Sequence, residues 1–192
     1  MEGLQRNNII LIGFMGSGKT SVGKHLALRM GFDFLDTDVR IEQKERKTIP
    51  ELFNSMGEEY FRTQETRLLE ELMSSAEGII VSTGGGMPLR EENRELLKKT
   101  GFVVYLKASN ETIVGRLQGD TTRPLLRGEE LTKKVERLQG ERMQAYMAAA
   151  HLTIDTDNLL PEELAEEILK EYRRQRSGCI RDKEDENEDI GN

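Results

Sequence analysis

Several groups of residues in this 192-residue chain have the types and spacings needed to move a phosphate. The stretch from Gly13 to Thr20, GFMGSGKT, satisfies G-x-x-x-x-G-K-[ST] with an extra glycine at 16. Glycines let successive backbone N–H groups turn inward on phosphate oxygens, in conformations that a Cβ would oppose. Lys19 reaches the β- and γ-phosphates as a point charge, and Thr20 offers a hydroxyl to the Mg²⁺ that bridges them. The nucleotide-binding set on this loop is Gly16, Ser17, Gly18, Lys19, Thr20 and Ser21. The motif identifies a nucleoside triphosphate and is silent on what receives its phosphate.

Three further features bear on the receiver. Asp36-Thr37-Asp38 closes the short run FDFLD. Two carboxylates two residues apart on an extended segment share one side, with one near the metal and the other facing a substrate hydroxyl. A helix N-cap accounts for one of them and leaves the other unexplained. Gly84-Gly85-Gly86 follows IIVST, where bare backbone admits a substrate closely and offers N–H donors to an anion; a plain flexible turn is the alternative. Arg62 stands three residues before Glu65 on a helical pattern, so Glu65 can hold its guanidinium. Arg142 falls late in a long helix, and Arg116 and Arg123 bracket the start of an aperiodic loop in which Arg123-Pro124 has the form of a lid arginine. Guanidinium forks suit carboxylates and phosphates. With 33 % charged residues, any single arginine is ordinarily a solvated surface group, but the joint pattern points to an anion pocket.

These residues must be held by elements that alternate in type. NIILIG, FDFLD, GIIVSTGGG, GFVVYL and LTIDT read as strands. Between them lie helical patterns: Gly18 to Met30, two stretches broken near Ile49-Pro50 and reaching Ala76, EENRELLKK, NETIVGRL, Leu131 to Ala150, and PEELAEEILKEYRR with Pro161 in its first turn. Strands alternating with helices predict a parallel sheet covered on both faces, an α/β fold. In the long helix, Leu131, Val135, Leu138, Met143 and Met147 are expected to face the core. Residues from about 117 to 130 read as a mobile lid, and the acidic stretch 177–192 as a disordered tail beyond a domain of residues 1–176.

A net charge of −7, partly from the tail, gives no general attraction to nucleic acid or to an anionic membrane. An anionic substrate must therefore be drawn by locally placed cations. Cys179 is the only cysteine and has no partner for a disulfide, which suits a reducing compartment. No apolar run approaches the ~20 residues of a membrane span, and MEGLQRNN lacks a signal-peptide hydrophobic region. A cytoplasmic location is expected. A regulatory GTPase is disfavoured because neither D-x-x-G nor [NT]-K-x-D occurs.

The ordered set GFMGSGKT, FLDTD, FRTQE, STGGG, RPLL and ERMQAY resembles the shikimate kinase family, over residues from about Asn8 to Tyr172. The resemblance implies a P-loop NTPase of the nucleoside-monophosphate-kinase-like type, three-layered, with a five-stranded parallel sheet and a mobile lid. It implies the reaction of ATP with shikimate to give ADP and shikimate 3-phosphate, on the way to aromatic amino acids, with one Mg²⁺ accompanying ATP. Lys19, Asp36, Asp38 and Arg123 are the implied catalytic groups. Asp38 would hold the shikimate hydroxyls and take the proton of the attacking one, while Thr20 and Asp36 serve the metal. Asp38, Arg62, Gly84, Gly85, Gly86 and Arg142 are the implied shikimate contacts. Arg123 would close over the phosphates, and Arg116 with the turn Asp155 to Asn158 would lie on the adenine side. A monomer is expected, with no nucleic-acid or membrane partner. Two rivals stand beside this reading. One is a kinase of another hydroxy acid such as gluconate; the other is a silent nucleotide-binding module acting through the acidic tail.

Overall fold

Ile9–Ile12 (β1) is apolar and wholly buried at every position, as a strand covered on both faces must be. Asp33–Asp36 (β2), Ile79–Ser82 (β3), Phe102–Lys107 (β4) and Leu152–Asp155 (β5) join it in one all-parallel sheet of order β2-β3-β1-β4-β5. The computed structural model describes residues 6–118 and 129–188. Most of the expected lid therefore lies outside the described residues.

Alternation along the strands divides the core in two. Ile9, Leu11, Val104 and Leu106 face Val22 and Leu26 of Lys19–Met30 (α1) and Leu164, Ile168 and Tyr172 of Pro161–Glu188 (α8). Ile10, Ile12, Val103 and Tyr105 face the opposite layer. That layer contains Thr37–Glu45 (α2), Ile49–Met56 (α3), Glu58–Ser75 (α4), Glu91–Thr100 (α5), Asn110–Gln118 (α6) and Glu129–Ala149 (α7). Parallel order brings the carboxyl ends of all five strands to one edge, where ligands collect in open α/β sheets. Among the described residues no helix is long and apolar enough to cross a membrane.

The helical segment between β2 and β3 differs from expectation. It is three helices, not two, and Pro50 does not break one. Pro50 sits in the first turn of α3 behind a Thr48–Glu51 capping box, where its missing N–H costs nothing. The breaks fall at Arg46 (φ 54°) and Gly57 (φ 83°), both left-handed in φ.

The long helix α7 also differs. Leu131 and Val135 are buried as expected, but Met143 and Met147 are 42 % and 60 % exposed. The apolar stripe continues through Tyr146 and Ala149 instead, both fully buried. Each step along a helix turns about 100°, so Met143 and Met147 stand off the face that Tyr146 occupies. Helix α8 runs on to Glu188, twelve residues past Arg176, where the last helix was expected to have ended. The segment has no proline, and its Glu, Lys and Arg residues favour helix.

Candidate active site

The loop after β1 is shaped by its glycines. Gly16 and Gly18 take φ of 78° and 96°, where a side chain would be strained. A Cβ at Gly13 would stand 2.6 Å from the Leu106 carbonyl oxygen of β4. Gly18 is the N-cap of α1, with no side-chain cap and no acid in the first turn. Asp36 and Thr48, in contrast, cap α2 and α3. A helix start with neither cap nor acid suits a bound anion. Lys19 Nζ donates to the Gly13 and Phe14 carbonyls at 2.9 Å, folded along the rim of the same loop.

Arg116 of α6 donates to the Gly16 carbonyl at 3.0 Å and to the Thr156 carbonyl at 3.4 Å, tying this loop to the turn after β5. Together with residues 16–22, Leu159, Leu160, Pro161 and Leu164, it lines an open cleft of about 530 Å³. Phosphates on the glycine loop would leave a base against the apolar wall. Sequence reading placed Arg116 here and missed Leu159, Leu160 and Pro161, whose signal was an apolar pair exposed before a helix start. Within the expected turn, Asp157 accepts from the Ser109 N–H at 3.2 Å, and Asp155 accepts from the Asp157 N–H at 3.0 Å. Those carboxylates shape the connection that carries the wall.

Asp36 and Asp38 do not share an extended segment. Asp36 ends β2, whereas Asp38 lies in the first turn of α2. Asp36 Oδ1 caps that turn by accepting from the Asp38 N–H at 3.1 Å. Its Oδ2 accepts from the Thr20 hydroxyl at 3.4 Å and from the Ser82 hydroxyl at 3.1 Å. One carboxylate thus serves both as cap and as a group beside the glycine loop. Hydroxyl and carboxylate oxygens together are the hard donors that Mg²⁺ prefers, so Thr20 and Asp36 fit the ion. Thr37, fully buried, accepts from the Gly84 N–H at 2.9 Å and fixes the glycine run after β3 against α2.

That glycine run is where distant residues meet. A Cβ on Gly84 would collide with Asp38 Oδ1 and Glu65 Oε1. One on Gly86 would run into the Arg62 guanidinium. One on Gly85 would lie 3.5 Å from the Gly13 carbonyl oxygen and 3.7 Å from Arg142 Nη1. Asp38, Arg62, Arg142 and the glycine loop therefore enclose three bare residues. Arg123 lies outside the described residues.

Charges here are strongly coupled. Arg62 Nη1 donates to Glu65 Oε2 at 2.8 Å, and its Nη2 donates to Glu58 Oε1 at 2.7 Å. Glu65 is fully buried, and burial pushes its carboxyl up to about 7 against the pull of Arg62. Burial, and then the Asp36 carboxylate, also push Asp38 above its ordinary value, opposed by Lys19 and Arg62. Asp38 Oδ1 is buried with no hydrogen-bond partner. An unpartnered oxygen with raised basicity, beside cations and bare backbone, is equipped to accept a hydroxyl proton.

A family model described as shikimate kinase matches residues 15–173. A curated relative named shikimate kinase, from Thermodesulfovibrio yellowstonii, is 45 % identical over 171 residues, covering 89 % of this chain and 98 % of the relative. Among solved structures, shikimate kinase from Acinetobacter baumannii in complex with shikimate matches at 43 % identity with a TM-score of 0.79, covering 86 % of this chain and 92 % of that one. The shikimate kinase of Aquifex aeolicus matches at 32 % identity with a TM-score of 0.74, covering 89 % and 99 %.

Proposed function

The chain belongs to the shikimate kinase family, and on that premise we propose that it transfers the γ-phosphate of ATP to the 3-hydroxyl of shikimate. The products are ADP and shikimate 3-phosphate, in the route to aromatic amino acids. The observation that carries the assignment of this site is the crowding of Gly84, Gly85 and Gly86 by Asp38, Arg142 and Arg62. It brings together an acceptor for hydroxyls, two guanidinium groups for a carboxylate, and the phosphate loop alongside.

The division of labour follows from charge. Arg62 and Arg142, with the backbone at Gly84, Gly85 and Gly86, hold the shikimate carboxylate by forked charge-assisted hydrogen bonds. That grip sets the ring so that the 3-hydroxyl meets Asp38, whose basicity is raised by burial and by Asp36. Asp38 orients this hydroxyl and takes its proton as the bond to phosphorus forms. Gly16 to Ser21 cradle the triphosphate, and Lys19 leaves its loop carbonyls to neutralise charge on the transferring group. Thr20 and Asp36 would hold Mg²⁺, which would supply charge neutralisation to the phosphates. Arg116 and the wall Leu159–Leu160–Pro161 take the adenosine. Arg123 is proposed to complete the phosphate grip. Little covalent help is needed, since phosphoryl transfer depends chiefly on alignment and charge. We expect the enzyme to act as a cytoplasmic monomer without nucleic acid or membrane.

The test is ADP release from purified protein with Mg-ATP and a panel of hydroxy acids, with the product identified by phosphorus NMR. Shikimate is the expected substrate. Turnover of gluconate with none of shikimate would overturn the reading, as would nucleotide binding without turnover of any acid.

A further inference from the structure

Tyr146 is fully buried in α7, four residues after Arg142, and therefore on the same helix face. Its phenol donates to the Gly85 carbonyl at 2.7 Å. Arg142 Nη1 would lie 3.7 Å from a Cβ on the same Gly85, and its charge opposes the burial that pushes Tyr146 up to about 12. The Arg142 guanidinium carbon is also 5.5 Å from the centre of the Phe14 ring. The Tyr146 ring is itself fixed, 5.1 Å from the ring of Tyr105 on β4.

A peptide group is planar and trans, so the Gly85 carbonyl and the Gly86 N–H point in opposite directions within one rigid unit. Glycine has no side chain to bias that unit, so the conformation on either side of the Gly85–Gly86 peptide does little to fix its orientation. A hydrogen bond on the carbonyl oxygen therefore sets the direction of the N–H as well. Arg142, one turn earlier on α7, meets the same glycine from the same helix face. Resting on the reading of the site given above, we infer that Tyr146 is a positioning residue for the acceptor's carboxylate, its hydroxyl setting the Gly85–Gly86 peptide beside the Arg142 guanidinium. Fully buried, it acts through that peptide rather than on a ligand. With ionisation pushed far above neutrality, the phenol keeps its proton and remains a donor throughout the working pH range.

Tyr146→Phe removes the hydroxyl and keeps the ring. The expected result is a shikimate KM raised about tenfold, the loss for one hydrogen bond that orients charged recognition. The KM for ATP should stay near that of the parent protein, with the melting temperature lowered by only a few degrees for the lost buried hydrogen bond. A shikimate analogue with the carboxylate reduced to an alcohol should be bound equally by both forms in calorimetry, because the clamp has nothing to grip. An unchanged shikimate KM overturns the inference. So does a parallel rise of shikimate KM and ATP KM with a large fall in melting temperature, which is the mark of a merely structural tyrosine. If the parent protein itself fails to turn over shikimate, the functional reading is at fault, a result separable from either of these.

Discussion

The guanidinium carbon of Arg142 sits 5.5 Å from the centre of the Phe14 ring. Phe14 belongs to the phosphate loop and is 2 % exposed, whereas Arg142 comes from α7, more than a hundred residues later. The donor and acceptor halves of the site therefore touch through one cation–π contact. Substitution of Phe14 by Leu keeps an apolar side chain while removing the ring. Steady-state kinetics should show a shikimate KM about two- to fivefold higher, the loss for a partly exposed cation–π contact. An ATP KM that rises by more than the shikimate KM would show that the ring serves the phosphate loop alone.

Arg62→Ala removes a guanidinium that lies against Gly86 and pairs with buried Glu65. The shikimate KM should rise roughly ten- to a hundredfold, as for loss of hydrogen bonds to a charged group. ATP binding, followed by calorimetry, should be little changed, since Arg62 is not among the residues lining the nucleotide cleft. Equal losses for both ligands would mean that Arg62 supports the whole site rather than the acid.

Stability should fall with rising pH through Glu65. Its carboxyl is raised from an ordinary 4.5 to about 7 in the fold, so the folded state binds more protons than the unfolded chain between those values. The resulting stability is fully present below about pH 4.5 and lost as pH passes 7. Asp38, also raised, contributes in the same direction. Glu65→Gln should flatten this decline when urea unfolding is compared at pH 5 and pH 8. A slope identical to that of the parent protein would show that Glu65 is not its source.

Deletion of residues 177–192 should leave turnover of ATP and shikimate nearly unchanged. Arg116, Asp38, Arg62 and Arg142 all precede the deletion, and so do Leu164, Ile168 and Tyr172, which pack α8 on the sheet. Loss of turnover in a truncated protein that keeps its melting temperature would give the acidic segment a role in the reaction.

Chemistry that depends on neighbours in sequence was legible in advance. A glycine loop between a strand and a helix, an acid before a helix start, and Pro161 in a first turn each follow from backbone rules acting over a few residues. The alternation of strands and helices likewise implied a parallel α/β sheet, and the ordered motifs pointed to the family. What a single position could not reveal was direction. Met143 and Met147 passed for core residues, yet a rotation of about 100° per residue turned them outward and put Arg142 and Tyr146 on the face over Gly85. Spacing alone puts Asp36 and Asp38 as a pair on one strand, but the chain turns into a helix between them and gives Asp36 two tasks. The contact of Phe14 with Arg142 and the wall of Leu159, Leu160 and Pro161 depend on strand order and helix rotation. Sequence alone determined which chemical groups were present and in what local conformation. The tertiary structure decided which of them meet, because the order β2-β3-β1-β4-β5 brings strand ends far apart in the chain to one edge.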